Sequence, residues 1–116
     1  MGAGKVYDLE ERTFLFAKSV RQFIKRLPRS IGNIEDSKQV IRSSGSVGAN
    51  YIEANESFSK KDFRLRVKIS RKESTESRLF LRLLYPDDSQ ETERAALVRE
   101  ATELMNIFGA ILRKTE

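Results

Sequence analysis

The chain has 116 residues, of which 39% are hydrophobic and 34% charged, and a formal net charge of +5. It contains neither Cys nor His, which excludes disulfides, thiolate nucleophiles, Cys-ligated zinc and the usual serine triads, and removes the commonest metal ligand. No apolar run reaches the roughly 18 residues of a spanning helix, so we expect a protein outside the membrane. We expect one cytoplasmic, non-enzymatic domain over residues 1–116, without cofactor or metal. Its positive net charge favours a polyanionic partner.

The first predicted helix covers about residues 8–27. Residues 2–5 before it, Gly-Ala-Gly-Lys, lack the spacing and the preceding strand of a phosphate-binding loop. Phe16, Val20 and Phe23 follow one another at helical spacing, Asp8 is a suitable N-cap, and Pro28 ends the pattern.

The second helix is predicted over about residues 34–57, although residues 43–50, Ser-Ser-Gly-Ser-Val-Gly-Ala-Asn, have the composition of a loop. Each interior glycine costs about 1 kcal/mol relative to alanine. A break would forfeit a long stripe at helical spacing, so we predict an unbroken helix. The stripe consists of Val40, Ser44, Val47, Tyr51, Ala54 and Phe58.

The third helix is predicted over about residues 60–84, with Ser59 as N-cap and Asp62 three residues later. Its inner stripe has serines at the centre, which predicts close helix approach or a polar layer. The stripe consists of Phe63, Val67, Ser70, Ser74, Ser77, Leu81 and Leu84.

The fourth helix is predicted over about residues 89–114, after Pro86, with Asp88 or Ser89 as cap and Glu91 as its partner. Four helices with short connections predict an all-α fold, an antiparallel up-down-up-down four-helix bundle. The apolar face of this helix consists of Leu97, Val98, Ala101, Leu104, Met105, Phe108, Ile111 and Leu112.

The strongest candidate binding surface is a basic face at the start of the third helix, where residues 60–86 carry nine basic and three acidic groups. Such a stripe can follow phosphates, although a solvated face is the alternative. A second stripe on the first helix would join it if the two helices lay side by side. The candidate nucleic-acid-binding residues are Lys60, Lys61, Arg64, Lys68, Arg71 and Lys72, with Lys18, Arg21 and Lys25.

Carboxylates on the second and third helices invite comparison with di-metal bundles, but those sites need Glu-x-x-His and this chain has no His. A metal held by Glu53, Glu73 and Glu76 therefore ranks last. We interpret these groups as an internal polar network in which Glu73 or Glu76 pairs with Arg42 and Asn50 and fixes helix register.

Residues 41–54, 59–63 and 68–77 together resemble a bacterial four-helix-bundle family first named for proteins encoded in intervening sequences of large-subunit ribosomal RNA genes. The likeness extends from Tyr7 to Lys114. It implies a left-handed up-down bundle that assembles as a homopentamer, with a basic surface and no established enzymatic activity. A related branch is the accessory protein of diversity-generating retroelements, which binds nucleic acid and works with a reverse transcriptase.

The family's Arg, Asn and Glu positions correspond to Arg42, Asn50, Glu53 and Glu76. Many members have a small residue where this chain has Glu73, so we expect its internal pairing to differ. Five copies of a +5 chain would bind a polyanion by avidity even where each patch is weak. The leading hypothesis is an oligomeric adaptor that binds RNA or DNA without reading sequence, and the alternative is a structural or protein-protein adaptor that binds no nucleic acid.

Overall fold

The structure is a computed structural model that describes residues 8–116, so the Gly-Ala-Gly-Lys segment lies outside it. Helices form because apolar residues recur at helical spacing, and within residues 8–116 there is no strand. None of the described helices is apolar over a length that would cross a bilayer. The helices are α1 (Leu9–Ile24), α2 (Ile31–Asn55), α3 (Lys60–Leu83) and α4 (Glu91–Lys114), with a short 3₁₀ turn at Asp88–Gln90 before α4.

The four helices pack as a bundle around one core. α1 contacts α2 and α4, and α3 contacts the same two helices, so α1 and α3 occupy opposite corners. The α2–α3 and α3–α4 interfaces are the most extensive. The buried apolar side chains are Phe16, Val20, Phe23, Val40, Val47, Ala54, Val67, Leu81, Leu84, Leu97, Ala101, Leu104, Phe108 and Leu112.

α2 runs unbroken through the glycine and serine segment, as its stripe predicts, but both of its ends differ from expectation. It begins at Ile31 because the Ser30 side chain accepts a hydrogen bond from the backbone N–H of Asn33 at 3.1 Å. It ends at Asn55, so the assignment of Phe58 to the buried stripe is wrong. Phe58 lies in the loop before α3, and its side chain is completely exposed.

A layer of buried serines joins α2 to α3. The Ser43 and Ser77 hydroxyls are 2.8 Å apart and hydrogen bonded, and Ser70 donates to the Val47 carbonyl at 2.9 Å. All side-chain polar atoms buried within residues 8–116 have a partner. The small serine side chains therefore allow two helices to approach closely without leaving a polar group unpaired.

Close approach also explains Gly48 on the side of α2 that faces α1. A Cβ atom built there would lie 2.8 Å from the Thr13 hydroxyl oxygen, which is nearer than real Cβ contacts allow.

α1 is tied to α4 by Arg12, whose guanidinium makes two 2.8 Å hydrogen bonds to Glu100. These bonds, together with one to Glu103, raise the pKa of Arg12 and keep it charged.

The start of α4 is built differently from the predicted cap at Asp88 or Ser89 with Glu91. Gln90 carries the interaction instead, because its side-chain oxygen accepts from the backbone N–H of Asp87 at 3.1 Å. Its amide then donates to the Arg26 carbonyl at 2.7 Å, which fixes the end of α1 against the α4 entry. The buried Gln90 was missed because only its position in the tertiary structure gives its amide a second partner.

Candidate nucleic-acid interface

The first half of α3 presents a basic outer face opposite its buried stripe. The Ser59 hydroxyl accepts a hydrogen bond from the Asp62 backbone N–H at 3.0 Å, which fixes where the helix begins. Buried Val67 and Ser70 orient the helix, so the residues on its other side face solvent. The exposed cations on this face are Lys60, Lys61, Lys68, Arg71 and Lys72.

Two adjoining surface grooves follow this face and share Lys68. The first has a volume of about 540 Å³ and is lined by Lys60, Lys61, Asp62, Arg64, Leu65 and Lys68. The second has a volume of about 330 Å³ and is lined by Lys68, Arg71, Lys72, Thr75 and Leu112. From Lys60 to Thr75 the helix rises roughly 22 Å at 1.5 Å per residue, so the two grooves form one extended basic surface, called here the α3 basic face.

Arg64 is placed differently from its neighbours, because it is half-buried against α4. Its guanidinium donates to the Leu112 carbonyl at 2.6 Å and to the Thr115 hydroxyl at 2.7 Å. A cation at the last turn of α4 complements the helix dipole and adds a donor to the Leu112 carbonyl, which also accepts from the Thr115 N–H and hydroxyl at 3.3 and 3.2 Å. Lys60 also donates to a Glu116 carbonyl oxygen at 3.3 Å, so these two residues are partly committed to holding the end of α4.

The end of α4 adds cations that the sequence reasoning missed. Arg113 and Lys114 are exposed and lie next to Leu112, which lines the second groove. They were passed over because residues 87–116 carry seven acidic and four basic groups, and this net negative charge hides the basic end of α4. Basic residues in the last turn of a helix are the signal that would have found them.

The α1 cations form a separate surface. Lys18, Arg21 and Lys25 are exposed, and Arg21 donates to the carbonyl of Ala17 on α1 and, at 3.4 Å, to that of Ile41 on α2. Because α1 and α3 occupy opposite corners of the bundle, the structure does not bring the two basic stripes side by side.

The residues of the expected polar network fall into two groups. Arg42 donates to Glu76 at 2.9 Å and to the nearly buried Glu73 at 3.5 Å. Asn50 instead donates to Ser46 and accepts from Arg66 at 3.0 Å, so Arg66 takes the place expected for a carboxylate.

Glu53 is exposed, and its carboxylate has no hydrogen bond or ion pair to any residue between 8 and 116. Within that range no three acidic side chains come together in a group suited to a metal ion.

A different surface lies between α1 and α2. It is an open groove of about 570 Å³, with apolar Phe14 and Ile52 on its sides and the small residues Gly45, Gly48 and Ala49 on its floor. Phe14 is 56% exposed. Leu79 on α3 is also exposed, whereas Ile24 packs partly against the core.

Three comparisons with known proteins bear on this chain. The family model described as 23S rRNA-intervening sequence protein matches residues 6–110. A solved structure from Bacteroides thetaiotaomicron, described as a protein of unknown function from the S23 ribosomal protein family, is 27% identical with a TM-score of 0.75, and the match covers 89% of this chain and 96% of that one. No curated protein sequence matches significantly.

Proposed function

The chain belongs to the family of 23S rRNA-intervening sequence proteins, and from that premise we propose that it is a non-enzymatic, oligomeric protein that binds nucleic acid through the α3 basic face. The observation that carries this proposal is the row of exposed cations along one face of a helix. Lys61, Lys68, Arg71 and Lys72 form no ion pair with any acidic group of residues 8–116. Their charges are therefore available to a partner.

Phosphate is the partner chemistry that suits this face. Flexible lysines bind phosphates as point charges and release condensed counterions, which gives affinity without dependence on base sequence. The grooves contain one acidic residue, Asp62, at the first turn of the helix. The proposed mode is therefore backbone contact by Lys61, Lys68, Arg71 and Lys72, with Lys60 and Arg64 contributing where their bonds to α4 allow.

We include in the proposal an antiparallel up-down-up-down order and a left-handed twist of the bundle. Support for the order comes from paired contacts: Ser43 meets Ser77, while Asn50, later in α2, meets Arg66, earlier in α3.

The homopentamer is likewise a proposal. It would raise the affinity for a polyanion by avidity, since repeated weak patches bind one polyanion together. A reverse transcriptase is the protein partner implied by the family resemblance.

Fluorescence anisotropy with labelled RNA and DNA at two salt concentrations tests the proposal. We expect binding that weakens with salt, by a log–log slope of about 0.7 to 0.9 per phosphate contacted. The triple variant K61A/K68A/K72A should bind at least about tenfold more weakly than the wild type, and its affinity should depend less steeply on salt concentration. A matched control, R29A/K38A/R99A, removes three exposed cations from other parts of the molecule.

Three results would contradict the proposal. Absent binding or binding insensitive to salt would remove the phosphate mechanism. Equal losses in the two triple variants would show that net charge, and not the α3 basic face, determines affinity. Bound metal found by elemental analysis of the purified protein would count against a non-enzymatic role.

The α1–α2 groove favours a second candidate, a structural or protein-protein adaptor oligomer that binds no nucleic acid. Exposed Phe14 and Ile52 beside a floor of small residues provide an apolar contact surface. Sedimentation of the wild type and of F14D would test this role, with dissociation of the oligomer as the expected result. Unchanged sedimentation would exclude the groove as a subunit contact.

A further inference from the structure

Phe58 is the most exposed large apolar side chain of the described residues, at 103% of its reference accessibility. α2 ends at Asn55 and α3 begins at Lys60, so Phe58 stands in the connection between them. Single exposed apolar residues are common and need no function. The position of Phe58 distinguishes it, because it comes two residues before the first cation of the α3 basic face.

The link between Phe58 and that face is the N-cap residue Ser59. Ser59 has extended backbone angles, φ −140° and ψ 158°, and its side chain is held by the Asp62 N–H. An extended residue spans about 3.3 to 3.6 Å, so the Cα atoms of Phe58 and Lys60 lie roughly 7 Å apart. The Phe58 backbone is thus close to Lys60, which lines the first groove.

A second apolar side chain lies within the grooves themselves. Leu65 lines the first groove between Lys61 and Lys68 and is 55% exposed. The α3 basic face therefore contains one exposed apolar side chain among its cations. Duplex nucleic acid offers phosphates to the cations of such a surface but no free base to its apolar groups, because its bases are stacked on one another inside the helix. Single strands have unstacked bases that pack on aromatic side chains while their phosphates follow a positive groove.

We infer that the nucleic acid bound by the α3 basic face is single-stranded, with a base stacked on Phe58 and the adjoining phosphates on Lys61 and Lys68. This inference rests on the proposed function and adds the form of the ligand. Base–aromatic stacking contributes about 1–3 kcal/mol per base, which corresponds to a change in affinity of about fivefold to 150-fold.

Anisotropy with matched single-stranded and duplex oligonucleotides tests the inference. F58A should bind the single strand at least about fivefold more weakly than the wild type. Its salt slope should equal that of the wild type, because no phosphate contact is lost. Its affinity for the duplex should also equal that of the wild type. F58Y should restore single-strand affinity. Y85A is the matched control, because Tyr85 is an exposed aromatic residue at the opposite end of α3. Phe58 is fully exposed, so F58A should unfold at the wild-type temperature.

Tryptophan provides a direct probe, since the chain contains none. Emission from F58W should be quenched when a single strand is added, and emission from Y85W should not. Salt-dependent binding in which F58A equals the wild type, or in which duplex and single strand bind alike, would overturn the inference and leave the proposed function standing. Absence of all nucleic-acid binding would overturn both.

Discussion

The two faces of α3 both contain polar side chains but use them in opposite ways. On the inner face, Ser70, Ser74 and Ser77 are buried, and each hydroxyl has a hydrogen-bond partner within the bundle. On the outer face, Lys61 and Lys68 extend into solvent without an acidic partner among the described residues. The inner face therefore holds the fold together, while Lys61 and Lys68 on the outer face can change with little cost to it.

The strongest test of this contrast is to enlarge a residue of the inner face. S70L should destabilise the protein by about 1–3 kcal/mol or more, because extra methylenes have no space between α2 and α3 and the Ser70 hydroxyl no longer donates to the Val47 carbonyl. T75L on the exposed side of the same helix is the control and should change stability by no more than about 0.5 kcal/mol. Chemical denaturation measures both, and equal effects would contradict close packing of the serine layer.

Removing one hydroxyl of the serine pair should have a smaller effect. S43A should cost about 1 kcal/mol, since the buried Ser77 hydroxyl is left without its partner. The double variant S43A/S77A should cost less than the sum of the two single variants, because it leaves no hydroxyl unpaired. Strict additivity in this double-mutant cycle would show that the two hydroxyls do not interact.

Arg42 of α2 forms ion pairs with Glu73 and Glu76, which lie between the inner and outer faces of α3. R42A should cost about 1 kcal/mol or less, because Arg42 is half exposed but its loss leaves the nearly buried Glu73 without its cation. K38A, which breaks the exposed Lys38–Glu35 pair, should have an effect close to zero. A larger cost for K38A in thermal unfolding would reverse the expected order.

Effects nearly as small as that of K38A are expected on the outer face. Each alanine substitution in K61A/K68A/K72A should change the free energy of unfolding by less than about 0.5 kcal/mol, in either direction. Circular dichroism during thermal denaturation would measure this change. A large loss of stability would mean that these lysines hold the fold together, and would weaken their assignment to a partner.

Helical periodicity predicted the continuous α2 helix and most of the core, because burial repeats with the turn of the helix. The same periodicity placed Phe58 in the stripe, where a continued helix would have buried it. The Ser59 cap, which requires extended backbone before Lys60, competes with that continuation. A periodic pattern alone does not show where the backbone leaves the helix.

The basic face was visible in sequence, since cations three, four and eight residues apart share one side of a helix.

Sequence alone determined the four helices, their apolar stripes and the absence of Cys and His chemistry. The tertiary structure decided which of these features meet: Arg64 with the end of α4, Asn50 with Arg66, and the α1 cations apart from those of α3. The physical reason is that helix formation depends on neighbours three and four residues apart, whereas pairing across a bundle depends on residues far apart in sequence.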